Sequence, residues 1–147
     1  MNTVKVDIDI KASAKDVFRT IKNMKEFPNF MPNVKKVEIV EVSPDGQSQI
    51  SSWETELEGA SFRWKEKDIF NDTKMTIVYK LIEGDIARFE GEWIIAMIDD
   101  KTTRVTLIVN YEIGVEIIEE QLGKIVKEKI RANAKSMLEG IKNKLEN

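Results

Sequence analysis

Residues 62–70 read FRWKEKDIF, and this stretch alternates two kinds of side chain with a period of two. Successive side chains of a β-strand point to opposite faces of the sheet. One face of this strand carries aromatic rings and two carboxylates, namely Phe62, Trp64, Glu66, Asp68 and Phe70. The other face is mostly cationic and should be exposed to solvent; it carries Arg63, Lys65, Lys67 and Ile69. The pattern predicts a strand with a buried aromatic face that also brings Glu66 and Asp68 inward.

Six further stretches alternate apolar and polar residues in the same way, and turn-forming residues follow several of them. The first covers residues 4–10, and the second is Val34–Val42. The other four have predicted inward side chains at Ser51, Trp53, Thr55 and Leu57, at Met75, Ile77, Tyr79 and Leu81, at Phe89, Gly91, Trp93, Ile95 and Met97, and at Val105, Leu107, Val109 and Tyr111. Seven such stretches predict a curved, seven-stranded antiparallel sheet. Arg88 and Arg104 should lie on its exposed face, like Lys65 and Lys67.

Helical patterns occur after the first strand and at the end of the chain. Ser13 has the spacing of a helix N-cap with an acid at Asp16, and a second short helix or turn is predicted over residues 23–30. From about Val115 the period becomes that of a long helix. Its apolar stripe comprises Ile118, Leu122, Ile125, Val126, Ile130, Ala134, Met137, Leu138, Ile141 and Leu145. We therefore predict one α+β domain over residues 1–147.

Composition removes several classes of function. The chain of 147 residues has no cysteine and no histidine, which excludes disulfides, cysteine nucleophiles, Ser-His-Asp triads and imidazole ligands. We expect no cofactor and no metal, although a carboxylate-only metal site stays possible. The net charge of −3 with interspersed signs gives no basic face for nucleic acid. Apolar runs are too short for a membrane span, and the start does not resemble a signal peptide, so we expect a cytoplasmic protein. A monomer and a homodimer are both compatible with the sequence.

Several short motifs resemble one protein family. Residues 17–21 (VFRTI), 27–34 (FPNFMPNV) and 37–39 (VEI) are similar to the opening of the polyketide cyclase/dehydrase family, and coenzyme-Q-binding START-like proteins open similarly. The likeness continues at Trp53, Gly59, Phe62 and Trp64, at residues 89–93 (FEGEW), and at Asn133 and Leu138 of the terminal helix. The chain thus resembles the START-like (SRPBCC) superfamily over nearly its full length. The resemblance implies a helix-grip fold, in which the sheet wraps around the long helix and encloses a cavity for a hydrophobic or amphipathic small molecule.

The candidate ligand-binding residues are the aromatic and polar side chains predicted to face this cavity. They are Trp53, Trp64, Glu66, Tyr79, Phe89, Trp93, Tyr111, Asn133, Met137, Phe30 and Met31. Phe30 and Met31 lie beside two prolines and could form either a lid or a plug at the bottom of the core. Asn133 lies within the apolar stripe, where a buried amide needs partners. It could face the cavity or make a structural hydrogen bond.

Glu66 and Asp68 allow more than one interpretation. An isolated buried carboxylate is costly unless it is paired or protonated. The two residues could therefore lie at a wet rim, be turned outward by a β-bulge, anchor a ligand hydroxyl, or include a carboxylic acid with a raised pKa. Two glycines of the long helix, Gly123 and Gly140, could permit close packing or allow the helix to bend. The lysine-rich face of that helix favours plain solvation over a membrane-surface role.

Three functions remain open on the sequence alone. The first is a non-catalytic binder or carrier of a lipid, isoprenoid quinone or polyketide-like molecule. The second is a polyketide cyclase, aromatase or dehydratase, in which Glu66, Tyr79 or Asn133 would move protons. The third is an interaction module that assists a partner protein. The absence of histidine and of an obvious acid–base pair favours the binder.

Overall fold

A computed structural model describes residues 2–57, 59–114 and 116–147, without the side chains of Leu57 and residues 116–119. The predicted turn residue Glu58, the predicted helix start Val115 and the side chain of Ile118 lie outside this part. The elements in chain order are β1 (Asn2–Ile10), α1 (Ala14–Lys22), a 3₁₀ helix (Met24–Asn29), β2 (Val34–Val42), β3 (Ser48–Leu57), β4 (Ala60–Asn71), β5 (Thr76–Gly84), β6 (Arg88–Asp99), β7 (Thr102–Glu112) and α2 (Glu116–Glu146).

The strands form one antiparallel sheet in the order β1-β7-β6-β5-β4-β3-β2. Strands β2 to β7 follow one another as hairpins, and β1 pairs with β7 at the far side. The curved sheet and the long C-terminal helix make the predicted helix-grip fold, which is confirmed. The register places Glu66 of β4 between Ser51 of β3 and Leu81 of β5. The predicted inward face of β4 is therefore the concave face of the sheet.

One end of the concave face is filled by helices, and we call it the closed end. It contains α1, the 3₁₀ helix and the C-terminal half of α2 (residues 134–146). The N-cap of α1 forms as predicted, because Ser13 Oγ accepts a hydrogen bond from the Asp16 amide at 3.2 Å. In α2, Ile141 is fully buried. A Cβ atom at Gly140 would overlap the Phe30 carbonyl oxygen, so glycine permits the close approach of α2 to the chain after the 3₁₀ helix.

The N-terminal half of α2 (residues 120–133) lies at the other end, which we call the open end. The apolar stripe was predicted to be buried throughout, and this is wrong here: Leu122 is 46% exposed and Ile125 is 54% exposed. In the part of the chain that the structure describes, nothing outside the backbone of α2 lies within 4 Å of a Cβ atom built at Gly123. The two exposed side chains project from a flank of α2 that no other described element covers. Among the described residues, no helix is long and apolar enough to cross a membrane.

Several side chains on the sheet differ from the sequence prediction, and the inward-facing Trp64, Leu81 and Phe89 are half-buried. Met97 was predicted to face inward but is 66% exposed, because it lies at the end of β6 beside a register shift. Lys65 was predicted to be exposed and is half-buried, and its Nζ lies 3.4 Å from Glu83 Oε1 on the neighbouring strand. Phe62 is on the concave side, as predicted, but is 37% exposed near the start of β4. Lys67, Arg88 and Arg104 are exposed as predicted.

Candidate ligand-binding site

A cavity of about 340 Å³ lies at the open end, between the sheet and α2. Its walls come from the concave faces of β3 to β7, from the β5–β6 turn and from α2. The residues that line it are Trp53, Thr55, Ala60, Phe62, Trp64, Glu66, Tyr79, Ile86, Phe89, Trp93, Leu107, Val109, Val126, Lys129, Ile130, Asn133, Ala134 and Met137. Most of these side chains are aromatic or aliphatic. A cavity of this size and character is typical of small-molecule sites.

Most of the predicted binding residues surround this cavity. Those that line it are Trp53, Trp64, Glu66, Tyr79, Phe89, Trp93, Asn133 and Met137. The concave side of each strand follows from its period of two, and the face of α2 follows from its apolar stripe. The position of these residues matches the prediction, while their role in binding stays a prediction.

Three predicted residues do not line the cavity. Tyr111 is 1% exposed and lies in the core of β7, opposite Phe89 of β6. Met31 is also 1% exposed, and together with the Phe30 carbonyl it packs against Gly140 at the closed end. Phe30 and Met31 therefore meet α2 at Gly140, beyond Met137, which is the last residue of α2 that lines the cavity. Their position favours the core plug over the lid.

Aromatic rings form one continuous wall of the cavity. Trp53 and Trp64 are directly opposite each other on β3 and β4, and their rings stack with centroids 5.5 Å apart. Phe89 meets the Trp64 ring edge-on at 5.1 Å and lies 5.4 Å from the Tyr79 ring. Such cross-strand and edge-to-face pairs hold rings in fixed positions. The wall is therefore preformed and presents flat apolar surface.

Glu66 is the acidic group among the described residues that line the cavity. It is 3% exposed, and Trp64 Nε1 donates a hydrogen bond to its Oε1 at 2.7 Å. Burial raises the pKa of Glu66 well above its usual range, and the charge of Asp68 and a hydrogen bond with Asp68 raise it further. The bond from Trp64 opposes these effects. Glu66 therefore keeps its proton to a higher pH than an exposed glutamate.

Asp68 lies behind the cavity wall and is fully buried. Its Oδ2 accepts hydrogen bonds from Ser51 Oγ at 2.6 Å and from Gln49 Nε2 at 3.1 Å. Ser51 Oγ in turn accepts a bond from Trp53 Nε1 at 2.8 Å, so this polar network also orients a ring of the aromatic wall. The wet-rim interpretation is wrong for both carboxyl groups. A register shift does occur between Lys65 and Glu66, but it does not turn Glu66 outward.

Tyr79 reaches across the neighbouring strand to β7. Its hydroxyl donates a hydrogen bond to the Ile108 carbonyl oxygen at 2.7 Å. Gly91 of β6 lies opposite Tyr79, and a Cβ atom there would overlap both the Ile108 oxygen and the Tyr79 hydroxyl. Burial, followed by the charge of Glu66, raises the pKa of Tyr79 well above its usual range. The phenol therefore holds its proton in a structural bond and is not placed to act as a base.

Asn133 contributes the polar group on the α2 side of the cavity. Its Nδ2 faces Met137 Sδ at 3.9 Å, which is a weak contact. Its Oδ1 is buried and has no hydrogen-bond partner among the described residues. Buried amide oxygens are usually satisfied. This oxygen is therefore an unpaired acceptor beside the cavity wall, closed off from solvent.

Sequence reasoning did not select ten of the lining residues as binding residues: Thr55, Ala60, Phe62, Ile86, Leu107, Val109, Val126, Lys129, Ile130 and Ala134. Most carried a usable signal, because the alternation of β3, β4 and β7 and the stripe of α2 already placed them inward. Ile86 lies in the β5–β6 turn and carried none. Lys129 belongs to the lysine-rich face that was predicted to be solvated, yet it also borders the cavity.

The fold is similar to those of several solved proteins. A Thermus thermophilus protein, TTHA0849, is 26% identical, with a TM-score of 0.91 over 98% of this chain and 97% of that chain. The Zhui aromatase/cyclase from Streptomyces sp. R1128 is 16% identical, with a TM-score of 0.88 over 99% and 93%. A START superfamily protein from Mycobacterium smegmatis is 17% identical, with a TM-score of 0.86 over 98% and 97%. The last two likenesses concern the fold alone.

Comparison by sequence gives a family. A search of curated proteins found no match. The family model described as "Polyketide cyclase / dehydrase and lipid transport" matches residues 10–138, which is most of the chain and includes every residue found to line the cavity. The chain belongs to the polyketide cyclase/dehydrase and lipid transport family.

Proposed function

We propose that the protein binds and carries a hydrophobic or amphipathic small molecule in the cavity at the open end. The observation that carries this proposal is a preformed cavity of about 340 Å³ with an aromatic wall and few polar groups. Burial of apolar ligand surface against such a wall supplies affinity at roughly 25 cal/mol per Å². A lipid, an isoprenoid quinone or a polyketide-like molecule has the required apolar surface.

The polar groups support binding more than catalysis. General acid–base catalysis needs a group that can release or take up a proton near the operating pH. The Tyr79 hydroxyl already donates to the Ile108 carbonyl, and the chain has no histidine. Glu66 and Asn133 can instead orient the polar end of a ligand by hydrogen bonds.

Tryptophan fluorescence offers the direct test. Trp53, Trp64 and Trp93 line the cavity, so a neutral apolar probe such as 1-aminoanthracene should change their emission when it binds. Trp64→Ala should weaken binding about tenfold or more, because it removes a large apolar contact area. Ile82→Ala is the matched control, since Ile82 is 51% exposed on β5 and does not line the cavity. The proposal fails if the probe does not bind, or if the two variants weaken binding equally.

Glu66 favours one second candidate, a cyclase, aromatase or dehydratase. A carboxylic acid that keeps its proton in an apolar cavity can serve as a general acid. The test is turnover of a poly-β-ketone thioester by the protein and by Glu66→Gln. An enzyme that uses this acid should retain binding in the variant and lose roughly 10²-fold or more in turnover. A carrier should show no turnover with either protein.

A further inference from the structure

A second concave surface lies at the closed end, and we call it the α1 groove. It is an open groove between α1 and the turn that joins β4 to β5. The residues that form its walls and floor include Lys15, Phe18, Arg19, Lys22, Asp72 and Met75. None of the described residues that line this groove also lines the cavity at the open end. The two surfaces are therefore separate sites.

The α1 groove is positively charged, although the chain as a whole is acidic. Residues 11–25 contain five lysine or arginine residues and one aspartate, hence a net charge of +4, whereas the whole chain carries −3. Lys15, Arg19 and Lys22 are spaced by four and then three residues, so they form one stripe along α1. At a rise of about 1.5 Å per residue this stripe is about 10 Å long. It forms the α1 wall of the groove.

The stability of α1 does not explain this stripe. Like charges three and four positions apart repel each other on a helix surface, and the helix dipole disfavours a cation in the first turn, where Lys15 lies. The Lys15 ammonium forms no ion pair with any described residue. Arg19 has a loose and exposed ion pair, in which its Nη1 lies 3.4 Å from Asp16 Oδ1. Both cations are therefore available to external carboxylates.

Apolar surface lies between the stripe and the opposite wall. Phe18 is 6% exposed on the α1 side. Lys22 Nζ crosses the groove to Asp72 Oδ1 at 2.9 Å and lies 5.1 Å from the centroid of the Phe70 ring. On the opposite wall Met75 has a φ of 54°, a left-handed conformation that is uncommon for methionine. The turn thus keeps a strained residue whose flexible thioether chain suits an adaptable contact surface.

The groove fits a protein segment better than other anionic partners. A single phosphate group is much shorter than the stripe of about 10 Å and cannot contact both of its ends. A bilayer surface is flat and would leave a concave groove unfilled. A nucleic acid carries a phosphate at every nucleotide and would be repelled by Asp16 and Asp72 beside the stripe. A protein segment can combine carboxylates, an apolar side chain and a group that suits these aspartates.

We propose that the α1 groove docks an acidic, amphipathic segment of a partner protein. Carboxylates of the segment pair with Lys15 and Arg19, and an apolar side chain packs between Phe18 and Met75. This arrangement matches the recognition of an amphipathic helix in a groove, where charges fix the register and apolar anchors supply affinity. Docking at this surface does not require the cavity, so the inference is independent of the proposed small-molecule binding.

Fluorescence anisotropy with rhodamine-labelled peptides tests the inference. The probe is a helical peptide of about 16 residues, in which glutamates at every third or fourth position flank a stripe of leucines. We expect saturable binding at low salt that weakens as the salt concentration rises. A peptide with lysine in place of every glutamate should not bind. A peptide with serine in place of every leucine should bind at least about tenfold more weakly, because it loses the apolar contact.

Protein variants locate the binding surface. The double variant Lys15→Glu/Arg19→Glu should weaken binding of the acidic peptide at least about tenfold. Lys124→Glu/Lys135→Glu is the matched control, because it changes the net charge equally at exposed positions of α2, and it should change the affinity by less than about twofold. Met75→Asn suits the left-handed turn but removes the apolar contact, so it should weaken binding about threefold or more. Thermal unfolding shows that each variant folds.

Each other result overturns the inference. If the acidic peptide does not bind, or if both double variants weaken binding equally, the groove is not a specific docking site. A loss of peptide binding in Trp64→Ala but not in Lys15→Glu/Arg19→Glu would place the peptide in the cavity. Binding to phosphatidylglycerol vesicles that exceeds peptide binding and disappears in Lys15→Glu/Arg19→Glu would identify a lipid surface as the partner. Binding of 1-aminoanthracene should be unchanged in Lys15→Glu/Arg19→Glu, which keeps this test separate from that of the proposed function.

Discussion

The closed end and the open end of the molecule are built on the same helix and the same sheet, yet they are packed differently. Ile141 of α2 is fully buried at the closed end, whereas Ile125, in the same apolar stripe, is 54% exposed at the open end. At the closed end α1 and the 3₁₀ helix fill the concave face. At the open end a cavity remains. Stability is therefore expected to depend mainly on the C-terminal end of α2, and ligand binding mainly on the stretch from Val126 to Met137 that lines the cavity.

The largest effect should come from removing a buried side chain at the closed end. Ile141→Ala deletes apolar contacts in a filled core and leaves a void, so it should lower the free energy of unfolding by about 2–5 kcal/mol. Ile125→Ala makes the same change on the exposed flank of the open end and should stay within about 0.5 kcal/mol. Urea unfolding of both variants measures the difference. Equal losses would contradict the distinction between the two ends.

The second effect concerns the buried acid of the open end. The folded protein raises the pKa of Glu66 well above its usual value of about 4.3, so the folded state holds a proton that the unfolded chain has lost. The free energy of unfolding should therefore fall as the pH rises from about 4.3 to the raised pKa, and then level off. The size of the decrease depends on how far the fold raises this pKa. Urea unfolding across this pH range measures it.

Glu66→Gln removes the ionisable carboxyl group. The free energy of unfolding of this variant should therefore change less with pH in the same range. Glu120→Gln is the control, because Glu120 is exposed on α2 at the same end of the molecule. Its curve should run parallel to that of the unaltered protein. Parallel curves for all three proteins would mean that Glu66 ionises like an exposed glutamate. In that case the burial of Glu66 would not give the open end a pH-dependent contribution to stability that the closed end lacks.

A smaller loss is expected at the close approach of α2 to the chain after the 3₁₀ helix. A Cβ atom at Gly140 would overlap the Phe30 carbonyl oxygen, and a backbone atom cannot easily move aside. Crowding of this kind costs about 1–3 kcal/mol, and the better helix propensity of alanine offsets up to about 1 kcal/mol. Gly140→Ala should therefore destabilise the protein by about 1 kcal/mol in thermal or urea unfolding. A stabilised variant would show that α2 can move away without loss.

The sequence predicted the fold well because the fold depends on periodicity. The period of two showed which side chains of each strand lie on the concave face of the sheet. The apolar stripe of α2 showed which side of the helix packs against the sheet. Most cavity-lining residues follow from these two patterns. Periodicity assigns a side chain to a face but does not say what lies opposite. It therefore missed the exposure of Leu122 and Ile125 and placed Tyr111 in the site instead of the core.

Polar details were harder to predict because they depend on contacts between strands. The sequence identified Glu66, Asp68 and Asn133 as unusual, but it could not separate a wet rim from a buried site. The separation depends on Ser51 and Gln49, which donate hydrogen bonds to Asp68 Oδ2 from the neighbouring strand. The sequence also could not show whether Phe30 and Met31 form a lid or a plug, because that role follows from the close approach of α2 to the chain at Gly140.

The smallest effect should have the opposite sign, and it tests the open end directly. Gly123 lies in the interior of α2, where glycine is less favourable than alanine by roughly 0.8–1 kcal/mol. Apart from the backbone of α2 itself, no atom of the described residues lies within 4 Å of a Cβ atom built there, so alanine meets no obstacle. Gly123→Ala should therefore raise the free energy of unfolding by about 0.5–1 kcal/mol in urea unfolding, while Gly140→Ala in the same helix lowers it.

Stopped-flow binding of 1-aminoanthracene completes this comparison by testing whether the helix must bend at Gly123. If Gly123 has no role beyond its flexibility in the unfolded chain, the association rate of the probe should stay unchanged in the stabilised Gly123→Ala variant. A slower association together with higher stability would mean that ligands reach the cavity by bending α2 at this residue. A loss of stability would contradict the open packing around Gly123, and with it the contrast between the two halves of α2.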